Sequence, residues 1–99
     1  MTDYEYAAIE IAEEIKRART KHAPMRGAHE GYAVLLEEVD ELWDEVKRRS
    51  PDVAAMRKEA IQIGAMALAF AVEVCGRAAG PGAADEGSDK DATKETDHG

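Results

Sequence analysis

From Ala60 to Cys75 the chain is apolar on nearly every side, interrupted only by Gln62, Gly64 and Glu73. A helix that is apolar all round is normally buried all round. Ninety-nine residues make one short domain, and a lone three-helix core of that size is marginal, with oligomerisation a common remedy. The segment therefore predicts a core shared between copies of the chain. Its small residues Gly64, Ala65, Ala67, Ala69 and Ala71 would let helix axes approach closely, with Met66, Leu68 and Phe70 filling the layers between them.

Two further helices precede it. The first opens at Thr2, with Glu5 three residues on as a capping-box partner, and repeats apolar residues at Ala7, Ile11, Ile15 and Ala18. Its basic end, Lys16, Arg17, Arg19 and Lys21, complements the helix dipole. Pro24 and Gly27 then turn the chain. The second helix is expected from Ala28 or His29 to Arg49, with Tyr32, Leu35, Leu36, Val39, Leu42, Trp43 and Val46 marking one buried face. Ser50 reads as the N-cap of the third helix and Pro51 as its first residue. Gly80-Pro81-Gly82 reads as its end. The stretch 83–99 holds six acidic residues, two lysines and no large apolar side chain, so it is expected to be disordered. The reading is an all-α domain over 1–79 followed by an acidic tail over 80–99. A helical hairpin plus an N-terminal helix would form a four-helix-bundle-type core by dimerisation.

Charge and cysteine content narrow the functional classes. A net charge of −8 argues against wrapping nucleic acid or binding anionic membranes, and the longest apolar run is far short of a span. The single Cys75 has no internal disulfide partner, and the N-terminus shows no signal-peptide pattern, so a cytoplasmic location is expected. His29-Glu30 lacks the second histidine of a zinc-protease motif, because position 33 is alanine.

The chemistry gathers in two acidic clusters, Glu37-Glu38-Val39-Asp40-Glu41 and Glu59-Ala60-Ile61-Gln62. Glu38 and Glu41 project one helical turn apart on one side, as do Glu59 and Gln62. Facing one another across a hairpin, the two pairs would set four oxygen donors around one point, suited to Mg²⁺, which takes oxygen ligands octahedrally and keeps several waters, with Mn²⁺ an alternative. A solvated acidic face would have the same pattern on the second helix alone. Against that, Glu37 and Glu41, and Glu41 and Glu45, are like charges at i, i+4, which cost about 0.2 to 0.5 kcal/mol per pair without a compensating cation. Glu59 moreover borders the most apolar segment, where it either faces solvent at the helix start or needs a charged partner: a metal shared with the second helix, Arg57, Lys58 or the basic end of the first helix.

The run from His29 to Trp43, followed by Met56-Arg57-Lys58-Glu59-Ala60-Ile61-Gln62 and the apolar third helix, resembles the MazG-like all-α nucleoside triphosphate pyrophosphohydrolases, especially their short single-domain members. The resemblance covers roughly residues 4 to 79. Its pattern is Glu-Glu-x-x-Glu, a spacer, then Glu-x-x-Asp. By that resemblance Glu38, Glu41 and Glu59 match metal ligands and Glu37 matches the glutamate beside the reacting water. Gln62 stands where the family has its last aspartate. An amide oxygen still coordinates Mg²⁺, but without the charge, so metal affinity and water activation should suffer. The implied activity is hydrolysis of a ribo- or deoxynucleoside triphosphate to monophosphate and pyrophosphate by a cytoplasmic homodimer or higher homo-oligomer. Lys16, Arg17, Arg19, Lys21, Arg57 and Lys58 are the supply of cations for the phosphates. The alternative is a non-catalytic helical dimer, an interaction or nucleotide-sensing module that Gln62 has left without a complete site.

Overall fold

A computed structural model describes residues 1–76; the expected tail lies outside the described residues. They form three α-helices, α1 (Asp3–Lys21), α2 (Ala28–Val46) and α3 (Val53–Ala69), and α3 continues into a π-helical turn, Phe70–Val74. Among the described residues there is no strand, and no helix is long and apolar enough to cross a membrane.

Local chemistry explains each start. Thr2 accepts from Glu5 N at 3.1 Å while Glu5 Oε1 accepts from Thr2 N at 2.7 Å, closing the expected capping box. Gly27 caps α2 without a side-chain bond, and Glu30 reaches back to accept from Arg26 N at 2.7 Å. The third helix starts later than Ser50 and Pro51 suggest. Asp52 is its N-cap, accepting from Ala54 N and Ala55 N at 2.9 and 3.4 Å, which leaves Pro51 outside the helix. Similarly α2 stops at Val46, short of Arg49. The last helical turn ends at Gly76, whose φ of 87° is the left-handed conformation that glycine adopts without a Cβ penalty, ahead of the expected stop at Gly80.

α3 packs against both other helices around Met25, Ala65, Met66 and Ala69. Ile11, Ile15 and Ala18 of α1, Val34 and Leu35 of α2, and Phe70 and Val74 surround that centre half-buried. Close approach depends on two glycines. A Cβ on Gly64 would lie 2.6 Å from Ile11 Cδ1, and one on Gly31 would lie 2.7 Å from the Phe70 ring. The small residue Gly64 thus lets α1 close onto α3 within one chain, in addition to whatever contact α3 makes outside it.

Two expectations about burial change. No large side chain is fully buried among the described residues, and Leu68 and Val72 on the apolar third helix are exposed. On α2 the apolar set divides. Leu35 and Leu42 turn inward, whereas Tyr32, Leu36, Val39, Trp43 and Val46 are exposed, Tyr32 and Trp43 at 61% and 57%. The reason is that α1 and α3 cover one side of α2 only, the side of Gly31, Val34, Leu35, Glu38, Leu42 and Glu45. Two glutamates therefore occupy inward positions that periodicity assigns to solvent.

Candidate metal centre

Glu38 and Glu41 come from successive turns of α2, and Glu59 from the second turn of α3. One carboxylate oxygen from each lies within 4.8 Å of the other two. Packing causes this convergence, because α2 and α3 form the largest helix contact and run antiparallel across the short Lys47–Asp52 connection.

The electrostatics are unfavourable to three bare carboxylates. Burial first, then the charge and hydrogen bond of Glu41 and the charges of Glu59 and Glu37, raise the Glu38 pKa from 4.5 to about 7. Burial and Glu41 raise Glu59 as well, with Lys58 acting in the opposite direction. Glu45, one turn beyond Glu41, adds to this field, and its buried Oε1 has Arg48 Nε at 3.2 Å but no aligned hydrogen bond. An all-oxygen, anionic donor set of this kind matches the chemistry of hard divalent cations.

Glu37 is exposed on α2 and, with Glu38, lines a cleft of about 860 Å³ between α1, the α1–α2 loop and α3. Arg17, Lys21, Lys58 and Gln62 line the same cleft. Gln62 sits one turn after Glu59, and its Nε2 donates to Glu14 Oε2 at 2.7 Å. The other expected cations are differently engaged. Arg19 donates two bonds of 2.6 Å to Glu73, and Arg57 donates two of 2.7 and 2.8 Å to Glu10. Lys16 pairs with Glu13 on the exposed side of α1, and Arg17 pairs with Glu14. Lys21 and Lys58 face the cleft without an ion-pair partner among the described residues.

Three further residues join the site in the fold. Arg26 lines the cleft from the loop, bound to Glu30. Glu73, aimed back by the π-helical turn, accepts from Arg19 and also from Met25 N at 3.0 Å, so it ties down the loop that walls the cleft. The Arg19 guanidinium holds the Glu73 carboxyl below the usual carboxylate range, against the effect of burial. Glu14 had a readable signal. It follows Ile11 by three residues and precedes Ala18 by four, so it lies on the apolar side of α1, where a charged residue is unusual.

Comparison with protein-family models, with curated proteins and with solved structures gives no match.

Proposed function

We propose that the chain is a divalent-metal-dependent hydrolase that converts nucleoside triphosphates, ribo or deoxy, to monophosphate and pyrophosphate, the reaction that its resemblance to MazG-like enzymes implies. The observation that carries this reading is Glu38, a half-buried carboxylate held beside two others across α2 and α3 with no ion-pair partner among the described residues. Such an arrangement costs stability in a purely structural role, because like charges repel and burial removes their solvation. A functional role offsets that cost.

Glu38, Glu41 and Glu59 would hold the metal, with Gln62 as the neutral fourth donor. The chemistry such a cation would supply is Lewis-acid stabilisation of phosphate charge and a more acidic water. Glu37, exposed and lining the cleft beside Glu38, is the residue that would accept a proton from the reacting water. Lys21 and Lys58 are the free cations best situated for the phosphates, with Arg17 sharing its charge between Glu14 and the cleft. Arg19 and Arg57 have instead a structural part, since each already forms a two-bond pair with a carboxylate.

The working unit is a homodimer, and α2 supplies much of its interface. Tyr32, Leu36, Val39, Trp43 and Val46 recur at alternating spacings of four and three, the seam of two packed helices. Together they form an exposed apolar stripe along one side of α2. Leu68 and Val72 are the corresponding exposed residues of the third helix. A second copy is the occupant because, among the described residues, the protomer buries no large side chain completely.

The deciding experiment is pyrophosphate release from a panel of ribo- and deoxynucleoside triphosphates with and without Mg²⁺. Metal-dependent release from at least one substrate, abolished by Glu38→Gln, is expected. No release, together with no rise in Tm at millimolar Mg²⁺ or Mn²⁺, would leave the non-catalytic interaction module as the better reading.

A further inference from the structure

The acid absent at position 62 has a counterpart on another helix. Glu14 rises from the apolar side of α1, its side chain only 11% exposed, and its Oε2 accepts from Gln62 Nε2 at 2.7 Å. Its Oε1 accepts from the Arg17 guanidinium. Each carboxylate oxygen of Glu14 thus accepts one bond, Oε2 from the Gln62 amide nitrogen and Oε1 from Arg17. That decides the orientation of the amide, because a carboxylate accepts only from the nitrogen end. The oxygen end of Gln62 is left available to a cation.

The position of the pair is also informative. A groove of about 840 Å³ between α1 and α3 adjoins the cleft that contains Glu38, and Glu14, Arg17, Lys58 and Gln62 line both. Glu14 therefore stands at the junction of the two, one side chain away from the helical face that carries Glu59.

We propose that Glu14 is a positioning residue for the metal centre: it holds Gln62 with its carbonyl oxygen toward the cation at Glu38, Glu41 and Glu59, and lends the site the negative charge that a glutamine lacks. The inference rests on the metal-dependent reading given above. A carboxylate that orients a metal ligand by a hydrogen bond raises the basicity of that ligand and narrows its motion. Glutamine at position 62 is then one half of a two-residue ligand rather than a degraded aspartate.

Mn²⁺ binding to the full chain, measured by calorimetry alongside the metal-free Tm, tests this. Glu14→Gln should weaken Mn²⁺ affinity roughly tenfold, the lower end of what loss of such a partner costs. Exchanging the pair, Glu14→Gln with Gln62→Glu, keeps an amide–carboxylate bond between the helices and should restore affinity to near the parent value. Glu13→Gln removes the same charge from an exposed site on α1 and should change nothing. If Glu14→Gln lowers only the metal-free Tm and binds Mn²⁺ like the parent, Glu14 is an interhelical tie and the proposal is overturned. Failure of the exchanged pair to recover affinity, in a chain that still melts cooperatively, overturns it equally. Absence of Mn²⁺ binding in the parent chain overturns the metal reading itself, and this inference with it.

Discussion

The two faces of α2 carry opposite chemistry from the one expected of a surface helix. Outward lie Tyr32, Leu36, Val39, Trp43 and Val46; inward, among Val34, Leu35 and Leu42, lie Glu38 and Glu45. Exposed aromatic and aliphatic side chains at seam spacing lose free energy to water, and inward carboxylates lose it to burial and mutual repulsion. Each face is suited to something beyond the single chain. For the outward face that is apolar surface, and for the inward face it is positive charge.

The largest effect is expected on the outward face. Leu36→Asp combined with Trp43→Asp would put two unpaired carboxylates into the proposed dimer interface, each costing on the order of 3–5 kcal/mol if fully buried. Sedimentation velocity should then show a monomer with a strongly lowered Tm. Unchanged sedimentation and Tm would mean that this face is ordinary solvated surface.

A smaller loss should come from the inner side of the same helix. Gly31→Ala places a Cβ against the Phe70 ring and Met25 Sδ and should cost about 1–3 kcal/mol. Gly64→Ala meets mainly Ile11 Cδ1, the tip of a flexible side chain, and should cost less. Equal losses in thermal unfolding would show that the α1–α3 contact is as rigid as the α2 contact.

The inward carboxylates make a prediction of opposite sign. The raised pKa of Glu38, about 7, means that the native state holds more protons than the unfolded one between the ordinary value of 4.5 and about 7. Stability of the metal-free protein should therefore fall as pH rises through that window, with the full penalty present above it. Glu38→Gln removes the penalty, so at pH 8 without metal its Tm should exceed the parent's by on the order of a few °C. In the parent, Mg²⁺ should reverse the loss and bind more tightly as pH rises, because it displaces the proton. A Tm that rises from pH 5 to 8, or a Glu38→Gln protein less stable than the parent at pH 8, would contradict a strained carboxylate.

The smallest effect should be that of Arg57→Ala. Its bond to Glu10 lies on the exposed side of the α1–α3 contact, where solvent screens the pair, and Tm should not change measurably. A large drop in pyrophosphate release at unchanged Tm would move Arg57 from structure to substrate binding.

Helix number, both ends of α1 and the start of α2 were legible in the sequence, because capping and turn chemistry are local. Thr2 with Glu5, and the Pro24 to Gly27 break, act within a few residues and hold wherever the chain lies. The third helix start was misplaced by two residues because Ser50 and Asp52 both offer a capping oxygen, and only the backbone decides which aligns with free N–H groups. Acid pairing at i, i+3 placed Glu38 and Glu41 on one side of α2, and Glu59 and Gln62 on one side of α3, since helical spacing alone determines it.

Which side of α2 turns inward was decided by tertiary structure. Periodicity gave one apolar face containing Leu35 and Trp43 together, whereas packing against α1 and α3 rotates the helix so that Leu35 and Glu38 go in and Trp43 stays out. The convergence of Glu38, Glu41 and Glu59, the Glu73 clamp on Arg19, and the Glu14 bond to Gln62 all join residues distant in sequence. Local spacing determines the direction of a side chain about its own helix axis, but the angle and depth at which two helices meet depend on the summed fit of many side chains. Here that fit includes the absence of a Cβ at Gly31 and Gly64.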